Sequence, residues 1–294
     1  MWMKDIIDAR NRYRIAYKNY INVMWNMLRR RSKIKVIFHN GDSSYIRNDL
    51  VLAYSKFSIN NNIHIKDLHL DMDNIKFTYN NKNITLEAEG LSPDIWSVFG
   101  LDEYSFLKVE NQIVIDIGAN MGDSPIYFAL NNAKKVIALE PYPYLYNIAL
   151  KNIKKNNIDD KITLLNAGYG QDSNIKLDPD FENERGGSAL KAFDNGIDIK
   201  TLSLNTILND YNIDNAVLKM DCEGCEYNLI KEDNNTLKKF KRIQVEYHYG
   251  YEKLKEKLED AGFNVTYSEP KKIFNKFAIE HNMLIGNIYA KLDV

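Results

Sequence analysis

Asp116-Ile117-Gly118-Ala119-Asn120-Met121-Gly122-Asp123 is the stretch of this 294-residue chain best suited to hold a ligand. It follows the apolar run Ile113 to Asp116 and leads into helix-like sequence from Ser124 to Asn131. A strand therefore passes into a helix through a turn. Gly118 and Gly122 let that turn bend tightly and approach a ligand, because a Cβ would obstruct at positive φ or close contact. Asp116, at the strand end, is expected to accept hydrogen bonds from an ammonium group. Twenty-two residues after Gly118, at the end of the next apolar strand, stands Glu140. An acid there commonly grips ribose hydroxyls, and such a charge-assisted bond is worth about 1.5–3 kcal/mol. The dinucleotide fingerprint G-x-G-x-x-G does not fit, since Asn120 replaces the central glycine and the third spacing is one residue short. A loop that lodges an amino-acid tail and a nucleoside fits better, and S-adenosylmethionine is such a ligand. Tyr142 is then expected to pack on the adenine. Asn166-Ala167-Gly168 lets an adenine edge approach the backbone.

Two further strand ends carry chemistry. Lys219-Met220-Asp221-Cys222-Glu223-Gly224-Cys225-Glu226 holds three carboxylates within six residues beside a glycine. Asp221 and Glu223 fall on one side if strand geometry continues. Glu246-Tyr247-His248 repeats the i,i+2 pairing on the next strand. If the two strands are neighbours, Asp221, Glu223, Glu246 and His248 converge on one small volume. One reading is general-base catalysis, a carboxylate or His248 taking a proton from a substrate hydroxyl. Another is a divalent-metal site for Mg²⁺ or Mn²⁺; a third leaves His248 as a satisfied strand-end histidine. Lys219 reads as a strand-end salt-bridge partner ahead of a substrate contact. Cys222 and Cys225 spell C-x-x-C but lack two more ligands for zinc. They are expected to be free and to pack as small hydrophobes.

The elements that must position these residues alternate strand and helix. After Ile113–Asp116 come strands Lys135–Leu139, Lys161–Leu165, Ala216–Met220 and Arg242–Glu246, with helices Tyr144–Asn156 and Tyr251–Ala261 between or after them. Strands Asn264–Tyr267 and Met283–Tyr289 end the chain. This rhythm predicts an α/β fold with a doubly wound, mostly parallel sheet over residues 96–294. Ligands in such sheets bind at the carboxyl ends of the strands near the topological switch point. Residues 32–95 read as a small α+β region, with strands Lys35–Phe38, Asn74–Tyr79 and Ile84–Ala88 and a helix from Arg47 to Phe57. Residues 1–31 read as one long, basic amphipathic helix with an apolar face of Trp2, Ile6, Ala9, Tyr13, Ala16, Tyr20, Met24 and Met27. It is expected to dock on its own domain with a solvated basic face. A membrane-surface helix, a partner helix and a phosphate-binding arm are the functional alternatives. The segment Asp178 to Gly196 is loop-like, and Arg185-Gly186-Gly187-Ser188 within it reads as either a substrate-side lid or a mobile polar insertion.

Composition narrows the function classes. Hydrophobic residues at 45% and charged residues at 27% exclude a disordered chain, and no apolar run is long enough for a membrane-spanning helix. The mean hydropathy of -0.44 agrees. Two cysteines cannot make a disulfide framework. With no secretory signal read at the start, a cytoplasmic location is expected. A net charge of -1 predicts no whole-surface attraction to nucleic acid.

VIDIGANMGDSPIYFA, ALEPYPYLYNIALKNIKKN, LLNAGYG, LKMDCEGCEYNLI and QVEYHYG, in this order, resemble the FkbM family of S-adenosylmethionine-dependent methyltransferases from about Tyr104 to Phe263. The resemblance implies a class I methyltransferase (Rossmann-like) sheet with an antiparallel last strand, and methyl transfer usually to a hydroxyl oxygen. By that likeness Asp116, Gly118, Asn120 and Gly122 hold the methionine part, Glu140 the ribose and Ala167 the adenine edge; Ala119, Ser124, Asn166 and Asp221 are further candidate cofactor-binding residues. Ser124-Pro125 stands where a Thr followed by another residue is more usual; the hydroxyl survives, and Pro suits a first helical turn. The expected activity is O-methylation of a small molecule or glycan. An RNA methyltransferase and a non-catalytic cofactor-binding or membrane-surface protein are the alternatives. Against the former, the N/D-P-P-Y/F block of amino-methylating enzymes is replaced here by Asp221-Cys222-Glu223-Gly224.

Overall fold

The computed structural model describes residues 2–39, 41–57, 65–70, 73–88, 94–177, 196–272 and 282–293. Arg185 to Ser188 lies outside the described residues. The chain divides into two compact units, Met1–Glu103 and Tyr104–Val294.

In the first unit, α1 (Trp2–Ala16) and α2 (Tyr20–Leu28) replace the single long helix expected. The break has a local cause. The Lys18 N–H donates to the Ile37 carbonyl at 2.7 Å. The Asn19 side chain accepts from the Ile37 N–H at 2.8 Å and donates to the Lys35 carbonyl at 3.0 Å. These bonds tie the break to strand β1 (Lys33–Ile37), which pairs antiparallel with β2 (Ser43–Arg47). Helix α3 (Asn48–Phe57) follows, and Tyr17, fully buried, donates its hydroxyl to the Val51 carbonyl. A second antiparallel sheet runs β3-β4-β5 (Ile65–Leu70, Asn74–Tyr79, Lys82–Glu87). Ile75, Phe77 and Tyr79 on β4 and Ile84 and Leu86 on β5 are buried, the alternation of a sheet with one covered face.

The second unit carries the strand–helix alternation. Its strands are β6 (Ile113–Ile117), β7 (Lys135–Leu139), β8 (Ile162–Leu165), β12 (Ala216–Met220), β13 (Phe240–Tyr247), β14 (Phe263–Tyr267) and β16 (Leu284–Leu292). They lie in the order β14-β16-β13-β12-β6-β7-β8. Pairs from β8 through to β13 are parallel, and the last strand β16 runs antiparallel to both β13 and β14. This is the doubly wound, mostly parallel sheet with an antiparallel last strand that the sequence predicts. Central strands are apolar runs because helices cover both faces: all five residues of β12 are buried, as are four of five in β6 and β7. Helices α4 (Asp123–Leu130), α5 (Pro143–Lys155), α6 (Leu204–Asp210), α7 (Asn234–Leu237) and α8 (Glu252–Asp260) connect them. A small side sheet, unforeseen in the sequence, is ordered β10-β11-β9 (Ser173–Leu177, Ile197–Leu202, Gly168–Tyr169). After β6 the chain builds β7 and β8 on one side, then crosses to place β12 on the other. The switch point therefore lies between β6 and β12, and the loops after those two strands face one another there.

Candidate active site

The loop after β6 is shaped by what stands behind it. Gly118 and Ala119 N–H groups donate to the Leu139 carbonyl at 3.0 and 2.9 Å, joining the turn to β7. Gly118 has φ +83, and a Cβ built on it would lie 1.8 Å from the Asp221 carbonyl oxygen. Only glycine lets the β6 loop and the end of β12 come this close. Asn120 also takes a positive φ of 48, which Asn tolerates better than most residues.

Asp116 differs from its expected role. Its carboxylate is fully buried, 3.1 Å from the Lys219 ammonium, and accepts the Ser124 hydroxyl at 2.7 Å. Lys219, itself 1% exposed, also donates to the Gly118 carbonyl at 2.6 Å and the Ile117 carbonyl at 3.3 Å. Burial raises the Asp116 pKa, opposed by Lys219 and the Ser124 bond. Burial works against the Lys219 charge, but Asp116 and Asp221 outweigh it and its pKa goes up. The ammonium that Asp116 meets is thus the protein's own. Asp116 and Ser124 fix the loop from behind and do not face a ligand; Lys219 is the salt-bridge partner expected.

Glu140 is buried at the end of β7. It accepts the Asn120 N–H at 2.8 Å on one oxygen and the Tyr142 N–H at 3.0 Å on the other. Burial pushes its pKa up to about 8, against the pull of those backbone donors. The Tyr142 ring packs with Ile199 of β11, and Leu145 and Ile175 lie against the pair. The Asn166 amide donates to the Glu140 and Pro141 carbonyls at 2.9 and 3.0 Å, bracing the end of β7. Ala167 lines a narrow crevice with Gly118, Leu139, Pro141 and Cys222. The crevice opens at the switch point, where a nucleoside is expected.

Beside it lies the acidic cluster. Asp221, Glu223 and His248 bring one donor atom each to within 4.8 Å of one another. Glu246 is not a member of this trio; it lies on β13 opposite Asn287 of β16, one pair before the strand ends. Its expected place is taken by Glu226, fully buried, whose Oε1 accepts the His248 backbone N–H at 3.1 Å and lies 3.0 Å from Nδ1 of the ring. The other ring nitrogen, Nε2, is 3.2 Å from Glu223 Oε2. Burial disfavours the His248 charge, yet the Glu226 bond and the Glu223 and Asp221 charges outweigh it and push the pKa up to about 10. The two acids flanking the ring thus favour the imidazolium, a form with no lone pair for a substrate proton. Glu226 was visible as the third acid of its run, but its reach across to His248 depends on the turn between them. Only with its proton lost would the His248 ring join Asp221 and Glu223 as a donor set for Mg²⁺ or Mn²⁺, its far nitrogen held by Glu226.

The turn itself overturns one expectation. Cys222 and Cys225 are joined by a disulfide, not free. Glu223 (φ 55) and Gly224 (φ 114) reverse the chain. That reversal brings the two Cα atoms to 5.4 Å, within the range a bridge spans. The apolar packing still holds: Cys225 belongs to the main core and Cys222 packs against it.

The methyltransferase FkbM domain pattern matches residues 116–265, from the buried aspartate of β6 into β14. The chain belongs to this family. It is an S-adenosylmethionine-dependent methyltransferase, and its larger unit has the class I sheet. No curated protein matches the chain. Among solved structures it is similar to M. jannaschii TYW2 in complex with AdoMet, at 17% identity over 78% of this chain and 92% of that one, TM-score 0.42. It is also similar to the METTL16 MTase domain, at 17% identity over 88% and 87%, TM-score 0.47. A third is precorrin-6y C5,15-methyltransferase from Geobacter metallireducens, at 18% identity over 66% and 87%, TM-score 0.39. Likenesses this distant carry no argument about substrate. The cradle at Gly118, which any side chain would fill, and the small-residue wall at Ala167 fit the cofactor of the family.

Proposed function

We propose that this FkbM-family protein methylates a hydroxyl oxygen of a small molecule or glycan, with Asp221 as the general base. The observation that carries the reading is the locked His248. With the imidazolium held between Glu226 and Glu223, the proton acceptor left at the end of β12 is a carboxylate, and Asp221 directly follows the strand. The cofactor supplies an electrophilic methyl group. Asp221 would take the proton that the substrate hydroxyl releases as its oxygen accepts the methyl from the cofactor's sulfur. A base so placed contributes about 10²–10⁴ in rate. In this reading Gly118, Ala119, Asn120 and Gly122 shape the cradle, Glu140 takes the ribose hydroxyls, and Ala167 borders the adenine. Asp116 and Ser124 act through the loop. Glu223 and Glu226 position His248, whose positive charge balances the acids around the acceptor.

The test is transfer of labelled methyl to panels of hydroxyl, amine and thiol acceptors. Label recovered as an ether, with Asp221→Asn losing at least about 10²-fold in turnover but keeping cofactor affinity, is the expected result. Label on nitrogen overturns the oxygen assignment. Loss of turnover on chelation, restored by Mg²⁺ or Mn²⁺, would reassign Asp221, Glu223 and His248 as metal ligands.

A further inference from the structure

The first unit carries a surface that the methyltransferase reading does not use. Ile21, Trp25 and Leu28 recur at i, i+4 and i+7 along α2 and are 70%, 55% and 76% exposed. The opposite side of the helix is the packed one, since Val23 is fully buried. The side chains that should seat an amphipathic helix in its own unit are therefore satisfied, while a second apolar face stands in solvent. Single exposed aliphatic residues are ordinary; three in register on one helix face are not. The flanking chain is strongly cationic. Between Arg10 and Lys35 there are nine Lys and Arg and no Asp or Glu, in a protein whose net charge is -1. Arg29, Arg30 and Arg31 follow α2 directly and are exposed, and the Arg29 guanidinium lies 4.6 Å over the Trp25 ring.

We propose that the α2 face of the first unit binds the surface of an anionic lipid bilayer. The apolar face would enter the acyl boundary while the arginines beside it meet lipid phosphates. An apolar stripe, an aromatic and a basic border are the three parts that an interfacial helix needs. Charge complementarity selects an anionic surface over a neutral one. A nucleic-acid strand would use the arginines but leave Ile21 and Leu28 in water, and it would want open aromatic faces for stacking, whereas the Trp25 ring is covered by Arg29. No described helix is long and apolar enough to cross a membrane, so contact would be on the surface.

The test is co-sedimentation of the full chain with phosphatidylcholine vesicles, with and without phosphatidylglycerol, in parallel with Trp emission. The expected result is binding to the anionic vesicles at least about tenfold tighter than to the neutral ones. Trp emission should shift to the blue. Ile21→Ser with Leu28→Ser should abolish the binding, and Arg29→Glu with Arg30→Glu and Arg31→Glu should do the same. Both variants change exposed side chains, and circular dichroism checks that they remain folded. Equal binding to neutral vesicles, no binding to anionic ones, or full retention by the Ser double variant each overturns the proposal. So does a dimer in light scattering that the Ser variant dissolves, which would assign the face to a second copy. So does a short RNA that binds with unchanged affinity in that variant.

Discussion

A histidine is an acid or a base according to what surrounds it, and His248 shows how far this goes. Glu226 and Glu223 hold its charge, with the pKa pushed up to about 10 from an ordinary value near 6.5. The folded pKa lies above the unfolded one, so this cluster's contribution to stability is complete below about pH 6.5 and fades as pH rises through about 10. Denaturant unfolding at pH 7 and above pH 10 should show wild type losing more stability than a His248→Gln variant. Equal losses would mean that the ring is not charged in the folded state. Glu140, pushed up to about 8 by burial, shifts in the same direction. Cofactor binding asks something different of it. A carboxylate accepts from a ribose diol more strongly than a neutral carboxyl does, so affinity should tighten as pH rises through about 8. Glu140→Gln should weaken affinity by about 10- to 100-fold and flatten that pH dependence. Calorimetry across the range is the measurement, and unchanged affinity removes Glu140 from the cofactor site.

At the scale of elements, the site depends on two loops reaching the same point. The end of β6 can approach the end of β12 because Gly118 has no side chain to put against the Asp221 carbonyl. Lys219, inside the sheet, stitches the two strands by bonding to Asp116 and to the Gly118 carbonyl. Gly118→Ala combines a strained left-handed backbone with a clash against backbone, which cannot rotate away. It should cost at least about 1–2 kcal/mol and lower the melting temperature by about 2–4 °C or more. Cofactor binding should fall out of range in the same variant. A variant that melts and binds as wild type does would overturn the close approach of the two loops. On the other side of the crevice, the Cys222–Cys225 bridge holds a reversal between Asp221 and Glu226, so the proposed general base and the acid bonded to His248 sit on one turn.

The chain divides into two compact units, and its tryptophans report on only one. Trp2, Trp25 and Trp96 all lie in Met1–Glu103, while the methyltransferase sheet has none. A ligand of the larger unit stabilises it by mass action, about 2.7 kcal/mol at a hundred times Kd. S-adenosylmethionine should therefore raise the main calorimetric transition while the Trp-emission midpoint stays in place. An equal shift in both signals would show that the units unfold together.

How much of this was legible in the residues follows from how local each cause is. The central strands could be read because a strand buried on both faces must be an apolar run, and Lys135–Leu139 and Ala216–Met220 have the same limits in the structure as in the sequence. The pairing of the Gly118 loop with Glu140 was readable because glycine and a strand-end acid carry their meaning in their type. The break at Tyr17 to Asn19 was hidden, because it is made by hydrogen bonds to Lys35 and Ile37, distant in sequence. Likewise, Glu226 and Glu246 are both acids near strand ends. Sequence alone placed the second in one cluster with Asp221, Glu223 and His248, whereas in the structure it is the first that bonds to the histidine. Residue type and period thus determined the fold class, and the ordered motif blocks gave the family. Which carboxylate meets which imidazole, which ammonium Asp116 holds and which face of α2 stays open were decided by tertiary structure. Those contacts join positions from roughly twenty to a hundred residues apart, and no local pattern encodes their direction.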